Sequence, residues 1–427
     1  MTTLEDHPLR YALSNELHAR PFPSLKAPCR AVFLAIKQPG AAESRDRNLD
    51  RAHLVDLLER YGAAHPQPDA THYSGTIGRY ELKWERHTEF VTYTVFIKGT
   101  GERPFDSADF EVFPEDWLAS APGNRVTSAL IRIEQNKDQS EINTQCEDWF
   151  VQESMAISTV IDGAATIAGD FRIDAAGHSR FAVFTSPGTG KRRAGRIVQR
   201  LCEIETYKSM SMLGLSRVRK NSTRMNEIEH SLTGLMVDMT RQDASAEDTL
   251  HQLLGLSAEL ESMAAQSLFR FGATGAYEAI VNQRIEVLRE ERIGGRQTFA
   301  EFMMRRYDPA MRTVKSAEAR LNAMSARAIR AGELLRTRVD VERSAQNQEL
   351  LESMDRRADL QLRLQKTVEG LSVVAISYYA VSLAGYLLYP VASLVGISKG
   401  MLLALATLPV VALVWWAIHR IREKIEK

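Results

Sequence analysis

The sequence of 427 residues is long for one domain and is enough for two or three. Its 54 Lys and Arg residues equal its 54 Asp and Glu residues, so the overall charge gives no case for a nucleic-acid partner. The three cysteines lie far apart and form neither a CxxC motif nor a Cys/His metal pattern, which indicates structural thiols in a reducing compartment (Cys29, Cys146 and Cys202). We therefore expect no metal and no cofactor.

The densest cluster of reactive side chains lies near the N-terminus, in a segment that Pro21 and Pro23 hold extended. Its imidazole and carboxylate could act as acid and base, and its guanidinium could bind a carboxylate or a phosphate. The alternative is a structured arm whose His and Arg bond to nearby backbone, which is favoured because no nucleophile–base spacing is present. The residues of this candidate ligand or structural motif are Asn15, Glu16, His18 and Arg20.

Residues 1–186 are predicted to form a mixed α+β cytoplasmic domain. Segments rich in Thr, Tyr, Phe and Val, separated by short polar turns, indicate an antiparallel meander and a later hairpin. Asp148–Asp162 is predicted to be helical. The predicted strands are Ala31–Ile36, Thr71–Ile77, Arg79–Arg86, Glu89–Lys98, Val126–Glu134, Ala165–Ile173 and Ser179–Thr185.

Residues 187–367 are predicted to form a helical stalk domain. The Gly-rich segment Ser186–Lys191 lacks the spacing of a phosphate-binding loop, because Thr185 and Arg192 stand where that motif needs Gly and Ser or Thr. We interpret it as a basic linker into a helix. From about Arg192 to Lys366 there is no strand signal, and the composition favours helices that pack on each other or on neighbouring subunits.

Residues 368–419 are predicted to form a hairpin of two transmembrane helices, at about 370–389 and 401–418. Between Gly370 and Ile418 the only charged side chain is Lys399. Each apolar run approaches the ~20 residues that cross a ~30 Å hydrocarbon core, and the linker Pro390–Gly400 is too short for a domain. The alternative is a buried hairpin in a soluble core, but two such runs with basic flanks are rare there.

Basic residues flank this hairpin on one side. Arg363 and Lys366 precede the first run, whereas the linker carries only Lys399. The positive-inside rule therefore places both termini in the cytoplasm. Residues 1–10 lack the apolar stretch of a signal peptide, so we expect the membrane address to lie in the C-terminal part. The basic tail, residues 420–427, contains Arg420, Arg422, Lys424 and Lys427.

The first apolar run carries a polar stripe on one helical face. Two interpretations stay open for it. Small and polar side chains join transmembrane helices, so the stripe can be a helix-packing surface. Polar side chains also face water-filled cavities, so it can line a pore in an oligomer. The stripe consists of Ser372, Tyr379, Ser382 and Tyr386.

Four segments carry a resemblance to a known family: Asn15–Pro23 (NELHARPFP), Arg193–Tyr207 (RAGRIVQRLCEIETY), Leu335–Asp340 (LRTRVD) and Val368–Tyr379 (VEGLSVVAISYY). Nearly the whole chain resembles the bacterial domain-of-unknown-function family 3422, described as predicted membrane-anchored proteins. The resemblance implies a cytoplasmic body with a C-terminal membrane anchor, and for a bacterial chain we expect that membrane to be the inner one. It brings no established activity, so it assigns no catalytic residue.

A second resemblance is one of architecture. An N-terminal α+β domain, a long helical stalk and a two-helix transmembrane hairpin are similar to the CorA-type magnesium channels, which are pentamers whose first span lines the pore and ends in Gly-Met-Asn. In this sequence the equivalent place reads Gly385–Pro390 (GYLLYP), and the linker after it contains no Asp or Glu. These departures argue against magnesium selectivity.

Three functions are compatible with the sequence. The favoured one is a membrane-anchored, homo-oligomeric cytoplasmic scaffold or sensor, because no active-site pattern is evident. The alternative is a CorA-like ion channel or transporter for an unidentified ion or small ligand. The third is a membrane-tethered enzyme that uses Glu16, His18 and Arg20. The expected partners are the lipid bilayer and further copies of the chain, and no nucleic acid.

Overall fold

The structure is a computed structural model that describes residues 4–11, 13–14, 22–40, 45–135, 138–241, 244–395 and 398–425. The chain divides into two compact units. The first comprises Met1–Ala244 with His251–Gly332, and the second comprises Ser245–Leu250 with Glu333–Lys427. The predicted division at residues 186 and 367 stays a prediction.

The first unit combines a sheet with helices on both of its faces. Its strands are β1 (Cys29–Lys37), β2 (His72–Ile77), β3 (Tyr80–Arg86), β4 (Phe90–Lys98), β5 (Asn124–Gln135), β6 (Ala156–Val160), β7 (Ala165–Ile173), β8 (Ser179–Thr185) and β9 (Glu291–Arg292). Its shorter helices are α1 (Arg47–Arg60), α2 (Glu115–Ala119), α3 (Gln139–Trp149) and α6 (Phe299–Arg306). The long helices are α4 (Lys191–Asp238), α5 (Ala246–Glu286), α7 (Asp308–Val395) and α8 (Lys399–Ile425).

The strands of the described residues form one sheet in the order β2-β3-β4-β1-β5-β8-β7-β6-β9. All of the neighbouring pairs are antiparallel except β5 and β8, which run parallel. The two centre strands, β1 and β5, are buried over most of their length. A mixed sheet of this kind, with helices packed on it, confirms the predicted α+β class.

Side chains alternate between the two faces of the sheet. Val32 and Leu34 of β1 point to the face that α1 and α2 cover, where Trp84 and Trp117 are fully buried. On the other face, Phe33 packs against α4, whose apolar side chains join the same buried cluster as those of α6. A smaller cluster joins α3 to β6, β7 and β8. The sheet is therefore the middle layer of the first unit.

The meander β2–β4 and the hairpin β7–β8 confirm the strand predictions. The helix predicted over Asp148–Asp162 is wrong, because α3 ends at Trp149 and Ala156–Val160 forms strand β6. Ile, Thr and Val in this segment favour a strand, and pairing with β7 decides the outcome. The expectation of no strand after Arg192 is also wrong, since the two residues of β9 pair with the edge of β6.

The second unit contains the C-terminal part of α7 and all of α8. A Cβ atom on Gly385 of α7 would lie 2.6 Å from Cδ2 of Leu403, so the two helices pack at a site that only glycine fits without a shift. Ser377 and Val414 are also buried, at 5% and 8% exposure. The predicted bounds of the linker, Pro390–Gly400, are also wrong, because α7 continues through Pro390 to Val395 and α8 begins at Lys399.

Candidate functional site

A polar cleft lies in the first unit, between α4 and the face of β1, β3 and β4 that α4 covers. Its cavity volume is about 30 Å³, which is enough for a few water molecules at most. Phe33 and Phe96 line it from the sheet, and Val198 lines it from α4. The polar and charged side chains of this cleft are Lys83, Glu85, His87, Thr92, Thr94, Gln199, Glu203, Thr206 and Tyr207.

The charged groups of the cleft form one network of hydrogen bonds and ion pairs. Nζ of Lys83 lies 2.8 Å from Oε1 of Gln199 and 3.1 Å from the carboxylate of Glu85. The side-chain amide of Gln199 donates to Oε1 of Glu203 at 2.8 Å, and Arg284 of α5 donates to the same carboxylate. Each of these charges has an opposite partner. The network therefore joins β3, α4 and α5 and stabilises their packing.

Two other residues of the cleft, Cys202 and His87, have side chains of reactive types. Burial raises the pKa of the Cys202 thiol, and the negative charge of Glu203 raises it further. Because only the thiolate is a good nucleophile, Cys202 stays protonated and unreactive at neutral pH. His87 stacks on Phe90 with ring centroids 4.4 Å apart, and its Nδ1 lies 3.4 Å from the hydroxyl of Tyr207. This arrangement fixes the imidazole at the edge of the cleft.

A buried carboxylate links the start of β4 to α5. The side chain of Glu89 is 0% exposed and forms an ion pair with Arg270, whose side chain is 15% exposed. The hydroxyl of Tyr277 donates to Oε1 of Glu89 at 2.8 Å. Burial raises the pKa of Tyr277, and the charge of Glu89 adds to this effect. The three side chains form a clip between sheet and helix.

A second buried carboxylate, Glu205, links α4 to β5 and β8. It accepts hydrogen bonds from the hydroxyls of Thr127 at 3.0 Å, Ser179 at 3.2 Å and Ser209 at 3.4 Å. Lys208, one turn further along α4, lies 2.8 Å from its other oxygen. A carboxylate with this many donors is satisfied within the protein. We assign Glu205 a structural role.

The candidate motif Asn15, Glu16, His18 and Arg20 lies outside the described residues. The chain that follows it docks on the start of α4. A Cβ atom on Gly195 would lie 1.7 Å from the carbonyl oxygen of Pro23, and the guanidinium of Arg196 lies 5.9 Å from the ring centroid of Phe22. The structure thus brings the C-terminal end of Asn15–Pro23 to the N-terminal end of Arg193–Tyr207, and both segments are among the four that carry the family resemblance.

The polar stripe lies along the part of α7 that belongs to the second unit. Tyr379 and Tyr386 are 71% and 72% exposed, Ser372 is exposed and Ser382 is half-buried. The hydroxyl of Ser372 donates to the carbonyl oxygen of Val368 at 2.8 Å, so the backbone of its own helix satisfies it. Its role in helix packing or in a pore stays a prediction.

Sequence reasoning missed the polar cleft. Its charged groups come from β3, α4 and α5, which lie far apart in the sequence, and only the sheet brings them together. One signal was present, because Glu81, Lys83 and Glu85 alternate along β3 and place charge on a face that the fold covers with a helix. Within the part of the chain that the structure describes, no three His, Cys, Asp or Glu side chains are grouped as metal ligands.

Comparisons with known proteins place the chain in one family. Neither a search of curated proteins nor a search of solved structures found a match. The sequence model described as "Protein of unknown function (DUF3422)" matches residues 5–425. Because this match spans nearly the whole sequence, including the sheet, the long helices and both apolar helices, the chain belongs to the DUF3422 family of proteins of unknown function.

Proposed function

We propose that this protein is a membrane-anchored, self-associating scaffold or sensor of the bacterial inner membrane, with its folded body in the cytoplasm. The observation behind this proposal is the exposed apolar surface of the two C-terminal helices. Only 11% of the most apolar stretch of α7 and 6% of that of α8 is buried, whereas a core helix of a soluble protein is mostly buried. Exposed apolar helices of this length suit the hydrocarbon core of a bilayer.

The charges around the two helices support the orientation. Arg363 and Lys366 precede the apolar part of α7, and Arg420 follows that of α8. Only Lys399 lies between the two apolar stretches, where its ammonium is 5.6 Å from the ring centroid of Tyr386. The excess of basic residues at the two outer ends favours a cytoplasmic location for both.

The segment of α7 before its apolar part supports self-association. Its apolar side chains fall within an arc of about 200° on the helix, which they share with Arg357 and Gln361, and the opposite side is charged. A helix with one apolar side buries that side on another element, and each leucine so buried contributes about 1.5–3 kcal/mol. The exposed residues of this side, each between 54% and 66% exposed, are Leu350, Leu351, Met354, Leu360, Leu362, Leu364 and Val368.

Membrane anchoring is tested by charge substitution in α8. Leu405 and Leu413 are 70% and 67% exposed in its apolar stretch. The double variant Leu405→Arg/Leu413→Arg places two charges in the hydrocarbon, each at a cost of about 2.5–3.5 kcal/mol, so alkaline carbonate should release it from membranes. Leu334→Arg, which changes an equally exposed leucine outside the apolar stretch, is the control and should stay bound. Release of the wild type by the same wash would overturn the anchor.

Self-association is tested by native mass spectrometry of the full-length protein in mild detergent. We expect an oligomer for the wild type and a smaller species for Leu350→Lys/Met354→Lys, which places charges on the apolar side. Glu352→Lys, on the charged side of the same turn, should keep the wild-type mass. A monomeric wild type contradicts the scaffold proposal, because too few helices would then be present to cover the apolar side.

CorA-like ion conduction is the second candidate function. Its support is the polar stripe, since Ser372, Tyr379, Ser382 and Tyr386 share one side of an apolar helix and polar side chains in a membrane avoid lipid. The missing Gly-Met-Asn motif and the linker without acidic residues argue against magnesium as the conducted ion. Ion flux into liposomes that is lost in Ser382→Leu/Tyr386→Leu would support conduction. Flux unchanged by this double substitution would exclude the stripe as a lining.

A further inference from the structure

A single line of side chains runs along α7 from the water-exposed part of the helix into its apolar part. Its members follow one another at intervals of four, four, three, four, three and four residues, which is close to the 3.6 residues of one helical turn. The line therefore lies along one side of the helix. It consists of Leu364, Val368, Ser372, Ala375, Tyr379, Ser382 and Tyr386.

The chemistry of this line changes where the apolar part begins. Leu364 and Val368, in the charged part of α7, are 66% and 54% exposed. Further along, Tyr379 and Tyr386 are 71% and 72% exposed within the apolar part. In a membrane protein the first pair would face water and the second pair would face lipid. Both environments are unfavourable, so the whole line gains by contact with protein.

Helix α8 covers little of this line, since among its described contacts only Lys399 reaches a member of it, the ring of Tyr386. Ser377, which is buried at 5% exposure, lies two residues before Tyr379 and hence about 160° away around the helix. Gly385, where Leu403 of α8 makes its close approach, lies one residue before Tyr386 and about 100° away. The two helices of the hairpin thus meet on the other side of α7, and the line points outward.

We infer that this line is the seam at which copies of the chain pack in the membrane, with α7 at the centre of the assembly and α8 outside it. The inference rests on the proposed function and adds the surface through which the copies associate. A bilayer holds the α7 helices of all copies in one direction and at one depth. A second copy therefore presents apolar side chains opposite Leu364 and Val368 and polar ones opposite Tyr379 and Ser382.

The change in chemistry along the line indicates that its partner is a second copy of the chain. Lipid alone would leave the hydroxyls of Tyr379 and Tyr386 in hydrocarbon, and water alone would leave Leu364 and Val368 exposed. A parallel copy of the same helix meets both requirements at the correct depth. The seam begins at Leu364, because Arg357 and Gln361 occupy the two preceding turns of the same side.

Cysteine cross-linking in native membranes tests the seam. Val368→Cys and Ala375→Cys lie on the line, and their controls are Lys366→Cys and Val374→Cys, about 160° and 100° away. The native cysteines do not interfere, because all three are buried. Since a disulfide needs Cβ atoms about 4 Å apart, mild oxidation should yield dimers at least about five-fold faster at positions 368 and 375 than at the controls.

The outcomes separate this inference from the proposed function. Preferred cross-linking at positions 368 and 375 supports both. Equal or faster cross-linking at positions 366 and 374, with an oligomeric mass in detergent, overturns the seam and leaves the scaffold intact. No cross-linking at any of the four positions, together with a monomeric mass, overturns both.

Discussion

The clip formed by Glu89, Arg270 and Tyr277 gives a sharp test of how the sheet and α5 are joined. In Glu89→Leu the guanidinium of Arg270 and the hydroxyl of Tyr277 lose their common acceptor. The side chain of Arg270 is 15% exposed, so water replaces little of what its guanidinium loses. The clip should therefore behave as one unit, in which the loss of one member leaves the others without partners.

The expected magnitude follows from the burial of the pair. Removing one partner of a buried ion pair costs about 3–5 kcal/mol, because the remaining charge stays desolvated. We expect about 4 kcal/mol for Glu89→Leu and a similar loss for Arg270→Met. The double variant replaces both charges by apolar groups of similar volume and should lose only about 1 kcal/mol. Tyr277→Phe, which removes one hydrogen bond to a charged group, should lose about 1.5 kcal/mol.

The assay is urea unfolding of the full-length protein in mild detergent, followed by the fluorescence of the buried Trp84 and Trp117. Glu102→Leu, which changes an exposed carboxylate, serves as the control and should stay within about 0.5 kcal/mol of the wild type. The dependence on urea concentration should stay constant across the series. Additive losses in the double variant, or a loss under about 1 kcal/mol for Glu89→Leu, would refute the reasoning.

Three further predictions concern the first unit. Gly195→Ala should displace Pro23, lower the free energy of unfolding by about 1–3 kcal/mol and speed proteolysis near residue 22. Gly190→Ala, where a Cβ atom would meet open space, is the control and should have none of these effects. Burial raises the pKa of Cys29 to about 12, so iodoacetamide at about pH 8 should modify this thiol only in urea, as mass spectrometry can show. Burial lowers the pKa of His53, so the contribution of this residue to stability is present above pH 6.5 and is lost as the pH falls. The urea midpoints measured at about pH 7 and about pH 5 should therefore differ more in the wild type than in His53→Gln.

The contribution of His53 shows how burial changes the role of a side chain. From the sequence it is a residue on a helix face. In the structure its Nδ1 lies 3.0 Å from the hydroxyl of Tyr93, its Nε2 lies 3.1 Å from the carbonyl oxygen of Trp117, and its ring stacks on that tryptophan at 3.9 Å. These partners come from two separate elements, β4 and α2, which are distant in sequence from α1. Local periodicity contains no information about them.

Elements with strong local patterns were predicted well. The meander β2–β4 follows alternating Thr, Tyr, Phe and Val, and the hairpin β7–β8 matches its predicted bounds. The start of α4 at Lys191 confirms the interpretation of the Gly-rich segment as a linker into a helix. In these places the residue type alone favours one backbone conformation.

Elements that depend on distant pairing were predicted poorly. β6 looked helical because its strand character rests on β7 and β9, and β9 is too short to have a pattern of its own. The cleft escaped notice for the same reason, since Lys83 and Gln199 meet only when α4 lies on the sheet. Helix α7 continues through Pro390 although a proline normally ends a helix, which an isolated pattern does not reveal.

The short strand β9 has a consequence for synthesis on the ribosome. Its two residues pair with Ser158 and Thr159, and the backbone nitrogen of Ile161 donates to the carbonyl oxygen of Leu288 at 2.7 Å. Until the chain has been made as far as Arg292, the outer edge of β6 has open backbone donors and acceptors, which invite pairing with other nascent chains. A truncation after Asp238 should therefore aggregate, whereas one that retains β9 has this edge covered.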